Sequence, residues 1–221
     1  MKSVLFVLLI TLTVTLVAQD EPENMEKMRI SLFGGASLPQ SDFGSTSSQK
    51  SGFAKTGFCA MLEGSKRMDQ SLNWTSSVSL SINGTDEAVL QSQAQQVFGS
   101  GTTVTAGSYV TTWVMTGLKF ESPTSSTGGI YAMGQIGILF SSFPDMTFSN
   151  SGSSITQTAS LATAFAYGFG GGFQTEKVNI GLRYYTGEPE YEQSVSGSGI
   201  SGSAKVKLPA TVLQLMLGVN L

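Results

Sequence analysis

Histidine is absent from this chain of 221 residues, and cysteine occurs once, at Cys59. The first absence removes the usual general base, the commonest transition-metal ligand and every Ser-His or Cys-His nucleophile pair. The second excludes an intrachain disulfide framework and any cysteine-based zinc site. Charge is scarce as well. Asp, Glu, Lys and Arg make up 12% of the residues, about half the usual share of a soluble domain. The net charge is −3, with no basic run beyond Lys66-Arg67. Phosphate neutralisation needs clustered cations, so nucleic acid is not expected as a partner.

Motifs that would carry chemistry fail on inspection. Glu188, Glu190 and Glu192 lack the Gly-spaced Asp/Asn ligands of a calcium loop and read as a solvated acidic loop, as does Asp86-Glu87. Gly168 to Gly172 is not a dinucleotide loop, because Phe173 takes the third glycine position and no helix pattern follows. Asn73-Trp74-Thr75 and Asn83-Gly84-Thr85 match glycosylation sequons, which mean little if the cell is bacterial. Cys59 reads as a buried, unpaired thiol with no cationic neighbour along its strand. Neither a metal nor a cofactor is expected.

What the chain does have is glycine, 26 residues of it, with abundant Ser, Thr and Gln, and 40% apolar residues in a strongly periodic order. Lys2, the charge-free run Val4 to Val17 and the small Ala18 have signal-peptide anatomy, so residues 1–18 are expected to be removed. That run is short of the ~20 residues a spanning helix needs. The acidic stretch that follows reads as a periplasmic tether over 19–28, and 29–221 as one domain.

From Arg29 onward no long helical pattern appears, and period-2 alternation dominates. It is clearest in Leu72 to Asn83, where Leu72, Trp74, Val78, Leu80 and Ile82 share one face and Ser77, Ser79, Ser81 and Asn83 the other. The other expected strands are Arg29–Leu38, Ala54–Lys66, Tyr109–Glu121, Gly129–Ser141, Leu161–Gln174, Val178–Thr186 and about Lys205 to the end. Strands of about ten residues cross a hydrocarbon core at ~45° tilt, and an even number closes with both termini on one side. The links alternate in length. Long ones at 39–53, 84–108, 142–160 and 187–204 are separated by short ones at 67–71, 122–128 and 175–177. External loops of outer-membrane barrels are long and periplasmic turns short. The expected fold is all-β: an eight-stranded antiparallel up-and-down transmembrane barrel.

Alternation alone leaves open which face meets lipid. The polar face is small and nearly uncharged, and the Ala/Gly row of Ala162 to Gly172 suits a crowded lumen better than a water-facing sheet. Aromatics of the apolar face collect near strand ends: Trp74, Phe120 and Phe173 at the turn end, Phe140 and Tyr184 at the loop end. They are candidates for lipid-facing interfacial girdles. Inward-pointing charges in this register are Arg29, Lys55, Glu63, Lys119, Glu121 and Arg183, which must pair inside a tight barrel; Arg29 with Glu63 is the first candidate.

Phe33-Gly34-Gly35-Ala36-Ser37-Leu38-Pro39 with Asp42-Phe43, and the last strand Leu213, Leu215, Leu217, Val219, Leu221, resemble the outer-membrane protein β-barrel domain family of OmpA/OmpX build. The resemblance is a pattern over the whole mature chain. It implies a C-terminal assembly signal in that last strand, although this chain ends in Leu221 where such signals usually end in an aromatic. It also implies outer-membrane lipids and the barrel assembly machinery as partners, and the cell outer membrane as location. Enzymatic barrels of similar architecture rely on a histidine that this chain lacks. The expected role is non-enzymatic, in membrane integrity or in surface interactions with extracellular partners through four long loops. The alternatives are a small porin-like channel and a secreted lipocalin-like carrier.

Overall fold

A computed structural model describes residues 28–47, 51–125, 128–197 and 199–221. The expected signal peptide (1–18) and the expected tether, apart from residue 28, lie outside them.

Eight alternating segments form the barrel: β1 (Arg29–Pro39), β2 (Gly57–Arg67), β3 (Leu72–Gly84), β5 (Ser108–Ser125), β6 (Gly128–Ser142), β9 (Ala162–Thr175), β10 (Val178–Gly187) and β13 (Ala210–Asn220). Each pairs antiparallel with its neighbours, and β1 against β13 closes the ring, with Leu32 opposite Val219 and Ala36 opposite Leu215. Closure leaves no unpaired edge within the barrel.

The direction of the faces follows from exposure. Leu80, Ile138 and Leu215 stand outward at 42%, 50% and 52% exposed, as do Leu32, Ile136, Ile180 and Leu217. Their strand neighbours Ser77, Ser79, Ser81, Asn83, Gln135 and Gln214 are buried inside. Large apolar side chains stand outward on every one of the eight strands, an arrangement that soluble monomers avoid and that a lipid-facing barrel requires. A lipocalin-like carrier would hold these same side chains against an internal cavity.

Space inside an eight-stranded barrel is only enough for side chains. The glycines of β9 show how it is shared. A methyl group at Gly170 would stand 2.7 Å from Arg183 Cδ, and one at Gly172 would stand 2.6 Å from the Tyr131 hydroxyl. Gly168 lies in the same way under the Tyr185 ring. Large side chains of β6 and β10 therefore lie across the bare backbone of β9.

Beyond the barrel the links are structured, contrary to the sequence expectation of loops. β4 (Thr103–Ala106), β7 (Met146–Asn150), β8 (Ser153–Ala159), β11 (Glu190–Gly197) and β12 (Ile200–Lys207) form a second sheet in the order β12-β11-β8-β7-β4. Lys205 to Lys207, expected to begin the last barrel strand, belong to this cap. The barrel strand starts only at Ala210, after Pro209 interrupts the pairing. Likewise β2 starts at Gly57, and Ala54 makes only an isolated bridge to Thr85.

Two helices also arise where none was expected: α1 (Ser41–Gly44) and α2 (Glu87–Phe98). The Asp86 carboxylate caps α2 by accepting from the Val89 amide at 3.4 Å, and Gly99, at φ +98°, ends it. Leu90 and Ala94, four residues apart, press α2 onto Val104 and Met146 of the cap sheet.

Candidate functional site: the filled lumen and its cap

The lumen is organised in three levels. Near the short-turn end, Glu63 of β2 sits at the centre of an ion network. Its Oε2 accepts from Arg183 Nη2 at 2.9 Å, and its Oε1 accepts from Lys119 Nζ at 3.3 Å. Lys119 also donates to Gln174 Oε1 at 2.8 Å and lies 3.3 Å from Glu121 Oε1. Arg183 Nη1 donates to the Tyr131 hydroxyl at 2.9 Å, which in turn donates to Asn179 Oδ1 at 3.0 Å. Both cations also stand over the Tyr131 ring, at 4.6 Å for Lys119 and 5.0 Å for Arg183. Two carboxylates thus face two cations, which is what charges taken out of water require.

At mid-height uncharged amides span the lumen. Gln214 of β13 accepts from Ser79 Oγ at 3.1 Å and donates to Ser81 Oγ at 2.8 Å. Gln135 of β6 donates to Ser77 Oγ at 3.3 Å and accepts from the Tyr185 hydroxyl at 3.1 Å. The serine row of β3 leaves the width that these long amides need.

At the outer mouth aromatics take over. Phe43, carried by α1 and wholly buried, meets Tyr109 edge to face at 4.9 Å. Tyr109 meets Phe143 at 5.3 Å, and Phe143 meets Tyr191 of β11 at 5.3 Å. Trp113 and Tyr185 stack beneath them at 5.5 Å. Tyr109 donates to Gly52 O at 2.7 Å, and the Ser141 and Tyr191 hydroxyls share a 2.6 Å bond. This cluster closes the barrel and fastens the cap to it.

Among the charges read as inward-facing, Glu63, Lys119 and Arg183 are buried in the lumen and Glu121 lies at its edge. Arg29 is at the rim, 3.6 Å from Glu121. The expected Arg29–Glu63 pair is not formed, because both Glu63 oxygens are already taken by Lys119 and Arg183. Lys55 is outside the lumen altogether. It precedes the first residue of β2, its side chain is exposed, and it pairs loosely with Asp86 at 3.9 Å. Sequence reading missed the uncharged lumen partners Tyr131, Gln135, Gln174 and Gln214. The signal that could have pointed to them is their place on the polar side of each strand's alternation, beside Ile130, Ile136, Phe173 and Leu215.

On the outer surface Trp74, Phe120 and Phe173 are exposed toward the turn end, while Phe140 is half-buried and Tyr184 stacks on Phe169 at 4.9 Å. Phe58 and Phe165, nearer the loop end and more exposed, were not singled out from the sequence. Leu215, Leu217, Val219 and Leu221 all face outward, and Leu213 is half-buried on the same face. Glu190 and Glu192 stand opposite Lys207 and Lys205 in a cross-strand ion ladder on β11 and β12, rather than in a loose loop. Asn83 is wholly buried and donates to Ser37 O and Lys55 O, so its sequon is inaccessible; Asn73 is buried as well. No described helix is long and apolar enough to cross a membrane; the crossing is made by strands.

No family model and no curated protein sequence matches this chain. Among solved structures, a major outer membrane protein from Thermus thermophilus aligns over 88% of this chain and 99% of its own, with a TM-score of 0.51 at 8% identity. Neisserial surface protein A aligns over 90% and 99%, with a TM-score of 0.49 at 12% identity. Ail, the attachment invasion locus protein of Yersinia pestis, aligns over 88% and 97%, with a TM-score of 0.47 at 17% identity. At such identities the likeness concerns the fold alone. Ringed by eight antiparallel strands, apolar on its outer face and filled within, this chain has the fold of an eight-stranded β-barrel, the fold it shares with the Thermus outer membrane protein.

Proposed function

We propose that the protein is a sealed, non-enzymatic barrel that contributes to outer-membrane integrity and holds a rigid platform outside the lipid for contacts with surface partners. The observation that carries this reading is the aromatic cluster of Phe43, Tyr109, Phe143 and Tyr191, which joins barrel and cap in one core. Loops that only shielded the mouth would not need a five-stranded sheet anchored by buried aromatic rings. Outer-membrane lipids are the partner of the apolar belt, and the last strand, Leu213 to Leu221, is the segment for the assembly machinery to recognise.

Ion network, amide bridges and aromatic seal lie in series along the axis, which disfavours the porin-like alternative. The test is conductance of the purified protein in planar bilayers, paired with surface labelling of a tag inserted at Asn150–Gly152 in intact cells. Absence of stable conductance steps together with a labelled tag is the expected result. Large, stable steps would refute the sealed barrel.

A further inference from the structure

The cap carries a groove of about 700 Å³ that runs along β7 and β8 to their hairpin tip. Phe98, Phe148, Ile155 and Val195 supply its apolar surface, and Gln157 and Asn150 are among its polar lining. Register places Phe148 opposite Ile155, and Val195 opposite Gln157, so these side chains share one face of the cap sheet. Phe98 closes the side of the groove, its ring 6.4 Å from that of Phe148 and inclined at 54°.

The location restricts what can enter. Glu87, at the start of α2, is tied near the barrel rim by accepting from the Ala106 amide at 2.7 Å. A helix of 12 residues then carries Phe98 ~18 Å along its axis. The opposite wall is the tip of the β7–β8 hairpin, where Asn150 donates to Phe98 O at 2.7 Å. The groove is lined by α2, the turn after it, and β7, β8 and β11 with their hairpin, none of them a barrel strand, so its occupant reaches it from the cap side of the barrel.

The chemistry restricts it further. Among the described residues no charged side chain lines the groove, so an ionic ligand would be desolvated without a counter-charge from them. The volume is in the range of small-ligand sites, which run from ~300 to ~1,000 Å³ and combine aromatic surface with a few polar groups. The stripe of α2 that buries Leu90 and Ala94 continues past its cover to Val97 and Phe98, left 75% and 53% exposed. Asn150 is committed to Phe98 O and Thr102 Oγ1, whereas the Gln157 side-chain amide has no hydrogen-bond partner among the described residues. An uncharged ring with one apolar face and several hydroxyls satisfies all of these conditions. A fatty chain would leave the amide unpaired.

We infer that this groove is a binding site for a neutral saccharide, with a sugar ring packed on Phe98 and Phe148 and its hydroxyls bonded to Gln157. The inference rests on the cap being an outward platform. Saturation-transfer NMR on the full-length protein in an amine-oxide detergent tests it, since maltoside detergents would compete. The probes are maltotriose, lactose and N-acetyllactosamine, with a sulfated disaccharide and palmitate as comparators. At least one neutral sugar is expected to bind, and Phe98→Ala and Gln157→Leu to weaken it by about fivefold or more. Retained heat-modifiability on gels shows that the variants are folded. Binding of none of the three sugars, binding unaffected by both substitutions, or binding of a comparator alone would overturn the site. Those results leave the sealed barrel standing, whereas bilayer conductance would fell that reading independently.

Discussion

Arg183 and Glu63 meet at 2.9 Å although their strands, β10 and β2, are separated in the barrel by β13 and β1. The pair is a tie across the lumen, and Lys119 makes Glu63 its pivot. Glu63→Ala leaves two buried cations short of a carboxylate and should cost about 3–5 kcal/mol. The urea midpoint of the folded, fast-migrating gel band measures this. An unchanged midpoint would mean that the network contributes nothing to stability.

The glycines of β9 provide a steric prediction. Gly170→Leu would drive a side chain into Arg183, and Gly172→Leu would drive one into the Tyr131 hydroxyl. Both should abolish the compact gel species. Gly134→Leu, at an outward position with nothing within 4 Å, should fold normally. Equal tolerance at all three sites would contradict the filled lumen.

Leu80 is exposed on the outer face and Ser79, beside it, is buried. Leu80→Arg should lower stability by about 2–4 kcal/mol in bilayers if Leu80 lies near the midplane. The same change at the exposed cap residue Val97 should cost less than about 0.5 kcal/mol. Equal effects in refolding titrations would argue against a lipid belt at Leu80.

Burial raises Tyr191 from its usual 10.0 to about 12, against a smaller lowering by its bond to Ser141. Its hydroxyl keeps its proton in the folded cap at pH values where the unfolded chain has already lost it. Above pH 10 the unfolded state binds fewer protons, so stability present below that pH is lost as the pH rises toward 12. Protease cleavage of the cap should accelerate over this window. In Tyr191→Phe the pH dependence should flatten, while stability near neutral pH falls by about 0.5–1.5 kcal/mol for the lost Ser141 bond.

The strands were legible because a lipid-spanning barrel imposes one rule, outward apolar and inward small or polar, on every other residue. β3 obeys it with Ser76 as the exception, and even there Ser76 Oγ finds Thr116 Oγ1 at 3.1 Å on the outer face. The cap was illegible because its sheet is assembled from separate links, and no local window contains the pairing of β4 with β7 or of β8 with β11. α2 had local signals in Asp86, a run rich in Ala, Leu and Gln, and Gly99, but they were too short to stand out from a loop. Lys55 was misplaced because counting parity back from Phe58 assumed a strand that begins only at Gly57.

By itself the sequence determined the barrel, its strand number and the direction of its faces, since these follow from nearest-neighbour alternation and from the sorting of long and short links. Only the tertiary structure decided which charges meet. Whether Glu63 pairs with Arg29 or with Arg183 and Lys119 depends on shear and on reach across the lumen, and neither is written in any single strand. The same holds for the aromatic seal, which gathers Phe43, Tyr109, Phe143 and Tyr191 from four distant parts of the chain.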